Sequence, residues 1–184
     1  TITLQPDVAT VVVTTTSVGV QARVTDRYSN WVNNDTLVLF GSSLGSIASP
    51  RPTANGLGFS FINSTVAGTA YITGTSSSAH GETTILFTPD VPASLALQVA
   101  PPTQVVGNNS VLTATLQDQY NNRVGSGFVI TIGTSLGNVA SPVTTTSGVA
   151  TSQISSTLAG TAYLTATGSS VVGTTTITFT PGAP

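Results

Sequence analysis

Cysteine, methionine and lysine are absent from this chain, and charge of either sign is scarce: four arginines and six acids in 184 residues. Without Cys there is no disulfide framework and no thiolate metal site. Without Lys the Lys–Asn isopeptide crosslink that locks many surface domains cannot form. Charged residues make up 5% of the chain, against about 25% in an average soluble domain. A net charge of −2 with Arg23, Arg27, Arg51 and Arg123 scattered along the sequence supplies no footprint for nucleic acid or an anionic membrane. No run approaches the roughly 18 apolar residues of a membrane span. No basic segment followed by an apolar stretch opens the sequence at Thr1, so the chain reads as a mature or excised piece of something larger, with no membrane insertion by this segment.

What fills the space is Thr, Ser, Gly, Ala and Val, a β-branched and hydroxylated composition suited to strands. The sequence also repeats. Thr65 to Tyr71 reads T-V-A-G-T-A-Y and Thr157 to Tyr163 reads T-L-A-G-T-A-Y, 92 positions apart. The same offset relates Asp26 to Asp118, Pro50 to Pro142 and Pro89 to Pro181, and the copies align from Asp26 to Pro89 without a gap. Before Asp26 the match needs one residue inserted, which the sequence suggests near Asp7 to Thr10. A unit of this length is a whole domain rather than a solenoid repeat. Within each copy the period is two: Leu112, Ala114 and Leu116 alternate with Thr113, Thr115 and Gln117, and Ile177 and Phe179 with Thr176 and Thr178. Such alternation marks strands with one buried face, separated by Gly- or Pro-bearing turns at sandwich spacing. The expected fold is all-β: two tandem immunoglobulin-like β-sandwich domains, residues 1–89 and 93–184, each with about seven strands and joined by a Pro-stiffened linker at 90–92.

Both copies share an ordered set of features. An alternating strand runs into Asp26-Arg27-Tyr28-Ser29-Asn30-Trp31-Val32 and its twin Asp118-Gln119-Tyr120-Asn121-Asn122-Arg123-Val124. A strand, Ser-Leu-Gly, a Thr-x-x-Gly turn (Thr53 to Gly56; Thr145 to Gly148) and Ala-Gly-Thr-Ala-Tyr follow. This order resembles the bacterial immunoglobulin-like domain of the intimin and invasin type across nearly the whole chain, with Ser29 and Asn121 standing where that family often has Gly. The resemblance implies an extracellular, cell-surface location and a non-catalytic spacer role in an adhesin or fibre. It implies neighbouring immunoglobulin-like domains or further copies of the chain as partners.

No catalytic residues, metal or cofactor are expected, since His80 is the only histidine and no acids cluster. Asp26 with Asn30, and Asp118 with Asn122, are expected to close Asx-type turns at strand ends. Tyr28 and Trp31 form a candidate sugar contact, which would suit a carbohydrate-binding module of a secreted enzyme and make surface glycans a partner. Asn34, Asn63 and Asn108 open glycosylation sequons. The uncharged opening segment, with Ile2, Leu4, Val11 and Val13, is the candidate donor strand by which copies would assemble into a filament.

Overall fold

A computed structural model describes residues 1–183; Pro184, which ends the second expected domain, lies outside them. The chain divides into two compact units, Thr1–Pro89 and Asp90–Pro184, and the regular elements among the described residues are all strands. In the first unit these are β1 (Ile2–Pro6), β2 (Thr10–Val12), β3 (Thr14–Val24), β4 (Leu37–Ser42), β5 (Ser46–Ile47), β6 (Arg51–Ala54), β7 (Leu57–Ser64), β8 (Gly68–Ser76) and β9 (Ala79–Thr88). In the second they are β10 (Ser94–Ala100), β11 (Thr103–Val105), β12 (Asn109–Gln117), β13 (Val129–Thr134), β14 (Asn138–Val139), β15 (Val143–Thr144), β16 (Val149–Ser155), β17 (Gly160–Gly168) and β18 (Val171–Thr180). Among the described residues each unit thus has nine strand segments rather than about seven, because the leading strand is cut in two and the short β5 and β6, or β14 and β15, lie between the longer strands.

The second unit has a sheet of order β10-β12-β16-β14 and another of order β11-β18-β17-β13-β15. Alternation aims Leu112, Ala114, Leu116 and Ile154 from the first sheet, and Ile130, Leu164, Ile177 and Phe179 from the second, into one buried cluster. Their Thr, Ser and Gln neighbours face outward or lie half-buried, as period-two patterning with one dry face requires. The first unit repeats this around Val20, Ile62, Ile72, Ile85 and Phe87, but β6 pairs with both β7 and β4, so its hydrogen-bonded path runs from one layer into the other.

The leading strand changes layers in each unit. β1 is antiparallel to β3, whereas β2 runs parallel to β9; β10 and β11 repeat this with β12 and β18. Prolines, which cannot donate to a ladder, mark the break: Pro6 closes β1 in one copy, and Pro101-Pro102 lie between β10 and β11 in the other. Register also corrects the position of the length difference. Leu4 pairs with Ala22 and Leu97 with Ala114, and the Val13 and Val106 N–H groups donate to Thr88 and Thr180 O. The copies therefore keep one offset from β1 through Val13 and fall into the other only by Val18 and Ser110, which pair with Ile62 and Ile154. The extra residue thus lies not near Asp7 to Thr10 but between Thr14 and Val18, where β3 bulges. A bulge absorbs one residue without flipping the faces beyond it.

Hydroxyls complete what the ladders leave open. Buried Ser60 and Ser152 donate to Ala48 and Ala140 O. Ser49 and Ser141 accept the N–H of Phe40 and Ile132, and Ser43 and Ser135 those of Tyr71 and Tyr163. Among the described residues no buried side-chain polar atom lacks a partner. The abundance of serine is therefore partly structural, because an unpaired buried donor costs about 1–3 kcal/mol.

Candidate functional site

The two aspartates at strand ends build the same turn from local bonds. Asp26 Oδ1 accepts the N–H groups of Tyr28 (2.8 Å) and Asn30 (2.9 Å), and Oδ2 accepts the Asn30 side-chain amide at 3.1 Å. Asp118 does the same with Tyr120 (2.8 Å), Asn122 N–H (2.9 Å) and the Asn122 amide (2.9 Å). The i to i+2 and i to i+4 spacing makes this readable from sequence. Ser29 and Asn121 take φ of 68° and 65°, the left-handed geometry that Gly adopts at no steric cost. Ser29→Gly is accordingly expected to stabilise the first unit by roughly 1 kcal/mol, and Asn121→Gly the second by less, since Asn tolerates this region better. Thermal unfolding of each variant checks both.

The surroundings of the two turns differ. Asp26 is exposed, whereas Asp118 is 2% exposed. Asp90 covers it: the Asp90 N–H donates to Asp118 Oδ2 at 3.0 Å, and Asp90 Oδ2 accepts the Gln119 amide at 2.9 Å. In the segment 90–92, expected to be a Pro-stiffened linker, the N–H groups of Asp90 and Val91 both donate to side-chain carboxylates. For Asp26 the Asn30 amide and N–H hold the carboxyl below its ordinary value. For Asp118 burial pushes the other way, and the Asn122 amide with the Asp90, Asn122 and Tyr120 N–H groups outweighs it.

Tyr28 and Trp31 are exposed, but each ring carries a guanidinium: Arg23 lies 4.6 Å from the Trp31 centroid and Arg27 4.6 Å from that of Tyr28. The Trp31 ring also rests on Gly56, where an added Cβ would come within 2.3 Å of it. The indole is therefore flanked by its own chain, and the chemistry it exposes is the arginine it supports. Spacing could not show this, because Arg23 and Trp31 meet across the Thr25–Trp31 bridge. Asn34 and Asn108 are exposed, and Asn34 Oδ1 accepts the Asn55 N–H at 2.7 Å. Asn63 is half-buried in β7, its amide donating to Thr15 O at 3.3 Å. His80 is exposed and meets Glu82 at 2.7 Å. The segment expected to donate a strand is occupied at home: Ile2, Leu4 and Val13 are buried in the first unit, and β1 and β2, which includes Val11, pair within it. Donation would require these side chains to leave their own core. Among the described residues no group of three or more His, Cys, Asp or Glu is placed to hold a metal ion.

No protein-family model and no curated relative matches the sequence. Solved structures do. The chain is 25% identical to Yersinia pseudotuberculosis InvD over 99% of its own length and 58% of that chain, with a TM-score of 0.67. It is 18% identical to invasin, a bacterial integrin-binding protein, over 98% of its length and 40% of that chain, again at 0.67. For the Escherichia coli adhesin FdeC the figures are 16%, 99%, 63% and 0.61. This chain thus spans about half of the adhesin structures it resembles.

Proposed function

We propose, starting from a chain that carries the bacterial immunoglobulin-like fold of the invasin and intimin type, that it is a spacer module of a cell-surface adhesin. In this reading two immunoglobulin-like sandwich domains in tandem carry load, outside the cell, between neighbouring modules of the same kind. The observation that supports it is the pairing of leading and closing strands: β2 is parallel to β9 from Thr10–Leu86 to Val12–Thr88, and β11 to β18 from Thr103–Thr178 to Val105–Thr180. Tension on the upstream end of one strand and the downstream end of its parallel partner slides them past each other. The ladder bonds are then loaded together rather than unzipped singly.

Pulling the intact chain by its ends in a force spectrometer is expected to give two unfolding events, each releasing roughly 300 Å of chain at about 3.5 Å per residue. Val13→Pro and Val106→Pro delete the N–H groups that donate to Thr88 O (2.8 Å) and Thr180 O (3.0 Å). Each is expected to lower the force of one event and spare the other. Proline variants that leave both forces unchanged would overturn the load-bearing role of the parallel pairs.

A further inference from the structure

Beyond the spacer reading, the geometry points to a binding site for a carboxylated saccharide on the outer face of β1 and β3 in the first unit. A groove of about 470 Å³ runs there, and its lining includes Thr3, Gln5, Gln21, Arg23, Trp31 and Leu57. Thr3 pairs with Arg23 and Gln5 with Gln21 across the two strands, so two polar rows lie side by side on one surface. Arg23 is the charged group. Its guanidinium carbon lies over the Trp31 ring, 4.6 Å from the centroid, and the ring in turn packs on Gly56. Stacking uses the face of a guanidinium and leaves its in-plane N–H fork for a bidentate acceptor. Among the described residues no carboxylate forms an ion pair with Arg23, and the side-chain amides of Gln5 and Gln21 make no hydrogen bond to the protein.

These are the groups that a sugar acid uses: a fork for the carboxylate, and paired carboxamides with hydroxyls for ring hydroxyls. An acidic peptide would use the fork alone, whereas the hydroxyls and carboxamides that make up most of the remaining lining, with Leu57 its only aliphatic residue, match a polyhydroxylated ring. The second unit serves as an internal control. At the matching positions it carries Ala96, Gln98, Thr113, Thr115 and Arg123, so the arginine, its aromatic support and one of the two amides are replaced.

The test is a titration of the intact chain, followed by NMR, with a trimer of galacturonic acid, with sialyllactose, with the methyl esters of both, and with oligoaspartate. At least one free acid is expected to shift resonances of β1 and β3 at millimolar concentration. Its methyl ester and the variant Arg23→Gln are each expected to bind at least about tenfold more weakly, through loss of a charge-assisted pair. Trp31→Ala is expected to weaken binding less, and Gln98→Ala in the second unit not at all. Circular dichroism confirms that each variant is folded. Failure of both acids to bind, equal binding of the esters, undiminished binding by folded Arg23→Gln, or equal binding of oligoaspartate would each overturn the proposal.

Discussion

Replacing Asp118 with Ala is expected to cost the second unit about 3 kcal/mol, because four donors lose one acceptor group in a buried place. The Tyr120, Asn122 and Asp90 N–H groups and the Asn122 amide all point at this carboxylate, and the residue is 2% exposed, so water cannot replace it without opening the turn. Asp26→Ala removes the same local bonds but exposes their donors to solvent, and a clearly smaller loss is expected there. Hydrogen exchange read by mass spectrometry on the full chain separates the two units. Fluorescence adds a check, since Trp31, the only tryptophan, reports the first unit alone. The pH dependence follows from the depressed carboxyl. Asp118 titrates below its ordinary 3.8 in the folded state, so its contribution is complete above that value and is lost as pH falls through the folded value. Protection of the second unit is expected to drop below about pH 4, and Asp118→Asn to flatten that slope.

A valine at Gly173 is expected to destabilise the second unit by about 3 kcal/mol, at the upper end of ordinary overpacking. A Cβ there would lie 2.4 Å from Leu95 O, where β10 of one sheet closes over β18 of the other. The obstacle is a backbone carbonyl, which has no rotamer to change. Gly81, its counterpart in the first unit, meets Ile2 O at 2.6 Å, and Gly81→Val is expected to act similarly there. Gly133 provides the control: nothing lies within 4 Å of a Cβ built on it, and Gly133→Val is expected to stay within about 0.5 kcal/mol. Chemical denaturation of the three variants, followed by circular dichroism and tryptophan emission, distinguishes these outcomes.

Alternation along β12, β17 and β18 was readable because side-chain direction in a strand follows from position alone, and the turns at Asp26 and Asp118 because their bonds span two and four residues. The 92-residue offset between the copies is likewise a property of the string of letters. Other features were hidden. The leading strand changes layers because β9 and β18 offer a free parallel edge some 75 residues downstream of β2 and β11. The serines that accept or donate buried bonds are indistinguishable by type from those that merely hydrate the surface. The donor-strand reading of Ile2, Leu4, Val11 and Val13 shows the same limit: an apolar, uncharged strand looks identical whether its partner is its own chain or another, and here β3 and β9 fill that place.

The amino-acid sequence by itself determined the strand class and the local turns, which depend on neighbours a few residues apart, and the repeat, which is read by comparing the letters alone. Tertiary structure alone decided which of two matching aspartates is buried, since Asp90 reaches Asp118 across 28 residues. It alone brought Arg23 onto Trp31 in the groove that Gln5 and Gln21 also line. Burial and electrostatic environment are set by groups distant in the chain, and those distances are fixed only when the sheets close.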